Sequence, residues 1–339
     1  MSIPRLTPSP GPNHALVLGA TGGLGGALAA GLLARGWTVT ALSRNPAAAA
    51  AACPGAIHWH QGDALRPDDV LAAAQSAALI VHAVNPPGYR DWRGLAIPML
   101  AHSIAAAAAT GARLLFPGNV YNFGPDAGSV LVESAPQNPL TRKGRVRADM
   151  EAMLRQAASR GTRSIVVRAG DFFGPGVTQS WFAQLIAKSA LAPRPSITYP
   201  GGDPQAGHAW AYMPDLAETM LRLVDREAEL AAFADFHFGG HWVAPGLDMA
   251  HAVRDAIGRP DLPVRIMPWW PLVLAAPFAT FPREALEMRY QWSQPQRLDN
   301  RKLLALLGEE PHTPLAAAVR GALRLPPAAA LAAPLPVAA

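Results

Sequence analysis

The feature that most constrains the fold of this chain is a glycine-rich turn between an apolar strand and a helix. Residues 15–18 (ALVL) are apolar, residues 19–25 (GATGGLG) form the turn, and an alanine- and leucine-rich helix follows. Gly19 permits a tight turn, Gly22 lets a ligand approach the backbone, and Gly25 lets the helix pack closely on the strand. Because the helix N-terminus presents unpaired N–H groups, the turn predicts a site for nucleotide phosphates rather than a connector that binds nothing.

Strands and helices alternate through the first half of the chain. Apolar runs predict strands at Ala15–Leu18, Thr38–Leu42, Ile57–His60, Leu79–Val84, Arg113–Phe116 and Ser164–Arg168, and the segments between them predict helices near 23–35, 67–76, 92–109 and 142–160. This alternation is typical of βαβ units with right-handed crossovers. We therefore expect an α/β fold, a Rossmann-type doubly wound parallel sheet with helices on both faces.

The second half has a looser pattern and predicts a small C-terminal substrate lobe. Helices are expected near 178–190, 214–224, 247–257, 300–307 and 314–324, and short strands near 196–199, 208–212 and 235–239. The predicted division is a disordered N-terminal segment (1–13), a dinucleotide-binding core (14–175), a smaller substrate-binding lobe from which some strands and helices return to the core (176–325), and a mobile Ala/Pro tail (326–339).

Composition and charge exclude several classes of protein. The net charge is only +5 and the basic residues are scattered apart from a cluster at Arg142–Arg147, which suits a small anionic ligand better than nucleic acid. The single cysteine, Cys53, excludes an intrachain disulfide. There is no signal peptide and no uninterrupted apolar run of membrane-spanning length, so we expect a cytoplasmic protein without a membrane partner. The pairs His58/His60 and His237/His241 lack an evident third ligand, and no metal site is expected.

The end of the second predicted strand indicates which dinucleotide would bind. An NAD-preferring fold places Asp or Glu here for the ribose 2′-hydroxyl, whereas an arginine accommodates a 2′-phosphate. No carboxylate lies between Gly36 and Cys53, and Ser43 and Arg44 occupy the strand end. The pattern therefore favours NADP, with NAD as the alternative cofactor. It also favours a phosphate-binding role for Arg44 over that of an ordinary solvated arginine.

Further segments resemble the extended branch of the short-chain dehydrogenase/reductase superfamily, the NAD-dependent epimerase/dehydratase group, over about residues 14–325. They are the glycine turn, Gly62-Asp63-Ala64, Ala83-Val84-Asn85, Val120-Tyr121, the segments 168–175 (RAGDFFGP) and 208–217 (HAWAYMPDLA), and the C-terminal segment from Arg297 to Leu315. Together with the strand-end residues, the resemblance implies a cofactor site formed by Gly19, Thr21, Gly22, Gly23, Leu24, Gly25, Ser43, Arg44, Asp63, Ala64, Ala83, Val84, Asn85 and Arg147.

The chain departs from this family at the residues that do the chemistry. Family members use a Ser or Thr, a Tyr, and a Lys four residues later, but none of the five tyrosines here is followed at that spacing by lysine. Alignment puts Lys143 and Arg147 at the Tyr and Lys positions, and Pro117 at the Ser position with Asn119 as the nearest hydrogen-bonding side chain. The predicted catalytic residues are Lys143, Tyr121 and Asn119, with Lys143 as the proton donor and base.

The resemblance implies an oxidoreductase or epimerase-like enzyme that acts on a small carbonyl or hydroxyl substrate through an atypical site. The alternative is a non-catalytic NADP-binding redox sensor or regulator that retained the cofactor site. Four aromatic residues of the second half have three possible roles: Trp269, Trp270, Phe278 and Phe281. They could form the core of the small lobe or a surface for self-association, in which case the protein could be a homodimer. Alternatively, they could form an apolar roof over the substrate.

Overall fold

The computed structural model describes residues 13–53, 55–86 and 91–326, and the predictions for 1–12 and 327–339 lie outside this range. The strands are β1 (His14–Leu18), β2 (Thr38–Ser43), β3 (Ile57–Gln61), β4 (Leu79–His82), β5 (Arg113–Asn119), β6 (Val130–Leu131), β7 (Ser164–Ala169), β8 (Asp171–Phe173), β9 (Ile197–Tyr199), β10 (His208–Tyr212), β11 (Phe233–His237), β12 (His241–Val243), β13 (Val264–Ile266) and β14 (Arg297–Leu298).

The helices connect these strands in alternation through the first half. They are α1 (Gly23–Ala34), α2 (Pro46–Ala52), α3 (Pro67–Ala73), α4 (Trp92–Thr110), α5 (Arg142–Ala158), a π-helical turn (Phe182–Ala187) that continues into α6 (Lys188–Ala190), α7 (Met213–Asp225), α8 (Asp248–Ala256), α9 (Trp270–Ala275), α10 (Thr280–Glu287), α11 (Arg301–Leu307) and α12 (Leu315–Ala322). No helix in the described ranges is long and apolar enough to cross a membrane.

Seven parallel strands form the central sheet in the order β3-β2-β1-β4-β5-β7-β11. The strand order reverses between β1 and β4, which opens a crevice at the carboxyl ends of these strands where ligands of doubly wound sheets bind. The predicted Rossmann-type α/β fold is confirmed. The last strand, β11, comes from the second half of the chain and completes the sheet beside β7.

The sheet is buried on both faces because its strands are apolar at successive positions. In β1, Val17 packs with Leu28 of α1 and Leu216 of α7, whereas Leu16 faces the opposite layer with Leu100 of α4. Each of these side chains is fully buried. The two layers hold β1 in the centre of the core, and the loop that follows β1 therefore has a fixed position at the edge of the crevice.

The smaller lobe has its own aromatic core over the carboxyl ends of the sheet. Strand β10 pairs with β8 in parallel and with β12 in antiparallel orientation, while β9 pairs with β13. Phe173, Trp210 and Trp292 lie in this core. Trp269 is also buried there, as expected, but Trp270 is 66% and Phe278 is 90% exposed, so the core interpretation is wrong for these two residues. The side chain of Phe281 lies outside the described part of the structure.

Candidate functional site

The glycine turn after β1 is held together by two close backbone approaches. Gly19 has a φ of +93°, and a Cβ added there would lie 2.6 Å from the carbonyl oxygen of Ala83. A Cβ added at Gly25 would lie 2.2 Å from the carbonyl oxygen of Gly19. Gly22 differs, because its φ is −88° and an added Cβ would meet only the Gly19 carbonyl oxygen, at 3.3 Å. Two glycines therefore form the turn itself, and Gly22 borders open space at the N-terminus of α1.

An open cavity of about 450 Å³ extends from this turn, and we call it the outer cavity. Its lining includes residues from the glycine turn, the end of β2, the segment after β3 and the segment after β4; among them are Gly19, Thr21, Ser43, Arg44, Asp63, Ala64, Val84 and Asn85. Eight of the residues expected to bind the cofactor thus lie in one cavity. Its position at the carboxyl ends of the strands and its size fit the adenosine half of a dinucleotide.

A second cavity of about 270 Å³, the inner cavity, adjoins the first. Asn85 and Pro86 line both cavities, so the two lie side by side. The inner cavity has aromatic walls from Trp92, Tyr121, Phe172 and Trp181. Aromatic residues therefore do line this cavity, but Trp269, Trp270 and Phe278, for which such a role was considered, are not among them.

Arg147 is the buried cation of the inner cavity. Its guanidinium donates to the carbonyl oxygen of Pro117 and to Oδ1 of Asn85, both at 3.3 Å, and lies 5.1 Å from the ring centroid of Trp92. Burial lowers the pKa of Arg147 to about 10, against the opposing influence of Tyr121 and Glu151. Arg147 therefore stays charged at neutral pH. The residue at the family's lysine position lies where a cation can contact a bound ligand.

Asn119 is the last residue of β5, and Tyr121 lies two residues beyond it. Oδ1 of Asn119 accepts a hydrogen bond of 3.0 Å from the backbone N–H of Tyr121, which fixes the turn between the two residues. Both residues line the inner cavity together with Arg147. Two of the three predicted catalytic residues are therefore brought together in the cleft.

Lys143 lies in a different cavity. Its ammonium group, 2% exposed as a side chain, donates to Glu284 and to Oε2 of Glu287, the latter at 3.2 Å. Oε1 of Glu287 also accepts the backbone N–H groups of Arg142 and Lys143 at the N-terminus of α5, where a carboxylate is favoured by the helix dipole. These contacts join α5 to α10. The proton-transfer role of Lys143 stays a prediction, and the geometry favours a structural role.

A side-chain pair that the sequence analysis did not single out lies at the floor of the inner cavity. Asp171, from β8, lines the cavity, and its Oδ2 accepts a hydrogen bond of 2.8 Å from Nε2 of His208 on β10. Both residues occur in segments that carry the family resemblance, but 37 positions separate them, so spacing gives no signal. The pair forms because of the register between β8, which has three residues, and β10, which has five.

Comparison with known proteins identifies the family. The model of the NAD dependent epimerase/dehydratase family matches residues 15–239, and the chain belongs to this family. The expectation of a short-chain dehydrogenase/reductase-like protein of the oxidoreductase or epimerase type is confirmed at this level.

Solved structures agree in fold across nearly the whole chain. A putative epimerase from Burkholderia cenocepacia J2315 is 20% identical with a TM-score of 0.72 and covers 93% of this chain and 98% of its own. The UDP-glucuronic acid 4-epimerase from Bacillus cereus, in complex with UDP-glucuronic acid and NAD, is 14% identical with a TM-score of 0.73 and covers 92% of this chain and 98% of its own. At these identities the likeness establishes the fold.

A curated relative of known activity is similar over part of its length. The 3-diazoavenalumate denitrifying reductase from a Streptomyces species is 32% identical over 179 residues, which are 48% of this chain and 57% of that protein. The chain thus matches little more than half of the length of this relative.

The first test concerns the glycine turn. We expect Gly22→Val to weaken dinucleotide binding by about 100-fold or more while the protein stays folded, because the side chain fills the space where phosphates meet the backbone. Gly25→Ala is the contrasting variant and should lower the thermal unfolding midpoint, since its Cβ would overlap the Gly19 carbonyl. Fluorescence titration and thermal melting measure the two effects. Wild-type affinity in Gly22→Val would show that phosphates do not bind at this turn.

The second test separates the two roles of Lys143. Lys143→Met leaves the carboxylates of Glu284 and Glu287 without their buried ammonium, and we expect a loss of stability of about 3 kcal/mol. Lys302→Met is the matched control, because Lys302 contacts Asp235 at 2.7 Å with 48% of its side chain exposed, and it should cost about 1 kcal/mol or less. Denaturant unfolding measures both. Wild-type stability in Lys143→Met would contradict the structural role and favour proton transfer.

Proposed function

We propose that the protein is an NADP(H)-dependent reductase that adds a hydride and a proton to an unsaturated group of a small aromatic substrate. The observation that carries this proposal is the pair of adjacent cavities, which share Asn85 and Pro86 and together form the cleft. Its outer end has Ser43 and Arg44 at the ribose position, and its inner end has aromatic walls with Asn119, Arg147 and Asp171 among them. One end suits a phosphorylated dinucleotide, and the other suits a planar apolar ligand with polar groups to orient it.

The choice of NADP rests on the end of β2. Arg44 is exposed at the rim of the outer cavity and forms no ion pair with another described residue, so its guanidinium is available to a 2′-phosphate. Ser43 lies beside it, and its Oγ accepts the backbone N–H of Asn45 at 3.2 Å. A guanidinium binds phosphate through charge-assisted, paired hydrogen bonds. No residue from Gly36 to Cys53 offers the carboxylate that a free 2′-hydroxyl would need.

The residues of the inner cavity determine what the bound cofactor can do. Nicotinamide, when bound, supplies the hydride. Arg147 holds a positive charge beside Asn85, which suits the ribose and carboxamide oxygens of a nicotinamide nucleoside. Asn119 bonds to Tyr121 through its side-chain oxygen, and its amide N–H₂ has no partner among the described residues, so it is available to a ligand. Phe172 and Trp181 provide apolar walls that exclude water from the reacting group.

The family's tyrosine, which exchanges a proton with the substrate oxygen in reduction and in epimerisation alike, is missing from its usual position. Lys143 occupies that position and lies outside the inner cavity, with its ammonium on Glu284 and Glu287. The Streptomyces relative is named a reductase, which supports hydride donation. A binding-only regulator is the second candidate, since the standard catalytic pair is replaced.

The third test measures cofactor choice and turnover. We expect NADPH to bind about 10- to 100-fold more tightly than NADH, because charge-assisted bonds to the 2′-phosphate contribute about 1.5–3 kcal/mol. Arg44→Ala should abolish this preference, whereas Arg259→Ala, an exposed arginine that pairs with Asp261 in the small lobe, should leave it unchanged. Titration of both cofactors measures the preference.

Turnover distinguishes the reductase from the regulator. We expect wild-type protein to oxidise NADPH in the presence of an aromatic aldehyde such as 4-nitrobenzaldehyde and to form the alcohol. Equal affinity for the two cofactors would contradict the NADP assignment. Tight NADPH binding without turnover of aromatic aldehydes, ketones or imines would favour the regulator.

A further inference from the structure

The pairing of β8 and β10 brings two titratable side chains to one face. In this parallel pair Trp210 lies opposite Asp171, so the side chains of Asp171, Trp210 and His208 point to the same side of the sheet. A diagonal pair of this kind is within reach of long side chains. The Nε2 of His208 donates to Oδ2 of Asp171 at 2.8 Å.

The pair is largely buried and the imidazole ring is fixed in orientation. The side chains are 8% exposed for His208 and 12% for Asp171. The ring of His208 stacks on Trp292, with the ring centroids 4.1 Å apart and the planes inclined by 4°. Trp210 contacts the same ring at 4.9 Å between centroids. This packing directs Nε2 towards the carboxylate and leaves His208 little freedom to rotate.

Asp171 forms the wall between two cavities. On one side is the inner cavity, and on the other is a small cavity of about 20 Å³ that is also lined by His208 and by three glutamines, Gln291, Gln294 and Gln296. This volume holds about one water molecule, and its lining supplies polar partners for it. Among the described residues, the Asp171 side chain has a hydrogen bond to His208, and this bond uses Oδ2 and not Oδ1. Asp171 therefore lies between a ligand in the inner cavity and a polar cavity beside His208 that has room for one water molecule.

Other titratable groups around the pair do not exchange protons near neutral pH. Burial, with Asp203 and Asp171 nearby, raises the pKa of Tyr199, and burial, with Asp171 and Glu287 nearby, raises the pKa of Tyr290. Both phenols stay protonated. Arg147, across the inner cavity, stays cationic because its lowered pKa is still about 10. Besides Tyr121, which also lines the inner cavity, Asp171 and His208 are the side chains that could pass a proton to a ligand there.

We propose that Asp171 is the proton donor of this site and that His208 positions and recharges it. The assignment rests on the proposed reductase function. When a carbonyl substrate is reduced, the hydride forms a C–H bond and the carbonyl π electrons move to oxygen. The acid form of Asp171 gives its proton to this oxygen. The carboxylate that remains takes the Nε2 proton of His208 as Nδ1 of the imidazole takes a proton from solvent, so the imidazole stays neutral. The pair replaces the family's Tyr–Lys pair with groups on two different strands.

The decisive variants remove the proton without changing shape. Asp171→Asn should lower kcat for 4-nitrobenzaldehyde with NADPH by about 100-fold or more, as loss of a general acid does. NADPH affinity should stay within about threefold of wild type. His208→Gln keeps an amide donor for Asp171 but cannot relay a proton; we expect about a tenfold lower kcat and a pH profile of kcat that differs from that of the wild type. The control is His251→Gln, because His251 forms an exposed pair with Asp248 at 3.1 Å, and it should change nothing.

A readout that does not depend on activity checks the pair itself. In ¹⁵N-histidine-labelled protein without cofactor, His208 should give a slowly exchanging Nε2–H resonance, which Asp171→Asn shifts and Asp248→Asn leaves in place. Thermal melting of each variant verifies folding. If Asp171→Asn does not fold, His208→Gln decides the assignment through its kcat and pH profile.

The outcomes separate this assignment from the function on which it rests. Wild-type protein that binds NADPH but reduces no aromatic carbonyl overturns the reductase and the proton donor together. An active wild type with Asp171→Asn within threefold of its kcat, or His208→Gln with an unchanged kcat and pH profile, overturns the proton donor alone. Lost NADPH affinity in Asp171→Asn at wild-type kcat would make Asp171 a binding residue.

Discussion

The whole site depends on how closely the backbone of the first turn approaches its neighbours. The positions of Gly19 and Gly25 have no room for a Cβ, because the carbonyl groups of Ala83 and Gly19 occupy that space. These approaches hold the end of β1, the start of α1 and the segment after β4 in contact. The crevice at the reversal of strand order is formed by the same three segments, so the turn determines where a dinucleotide can enter.

Different interactions act on a ligand in the outer cavity and in the inner cavity. The outer cavity is open, and the proposed preference for NADP rests on one exposed guanidinium, that of Arg44. The inner cavity has four aromatic side chains among its lining residues, and its charged groups Arg147 and Asp171 are largely buried. A buried charge requires a partner, and each has one: Asn85 for Arg147 and His208 for Asp171. Polar groups in such surroundings have fixed orientations before a ligand arrives, which is what electrostatic catalysis needs.

Much of the fold was predictable because the first half obeys local rules. Apolar strands alternate with alanine-rich helices, and the predicted strands from residue 15 to residue 168 all form within a few residues of their expected ends. The sequence analysis missed β8 and β13, whose three residues are too few to show a periodicity of their own, and it missed α2, although its run of alanines has a high helix propensity.

The site was predictable only where its residues follow one another along the chain. The glycine turn and Ser43–Arg44 are local patterns, and Asn119, Tyr121 and Arg147 came from alignment to the family. The environment of Lys143 was not predictable, because Glu284 and Glu287 are more than 140 residues away. The Asp171–His208 pair likewise depends on strand register. Contacts of this kind are set by tertiary packing, and a single sequence carries no trace of them.

A crystal structure of the complex with NADPH tests the central claim most directly. The account predicts the 2′-phosphate against Arg44 and the nicotinamide ring in the inner cavity, with its reactive face towards the space bordered by Asn119, Tyr121 and Asp171. A nicotinamide ring that lies outside this cavity, or that points to the separate cleft beside Lys143, would contradict it.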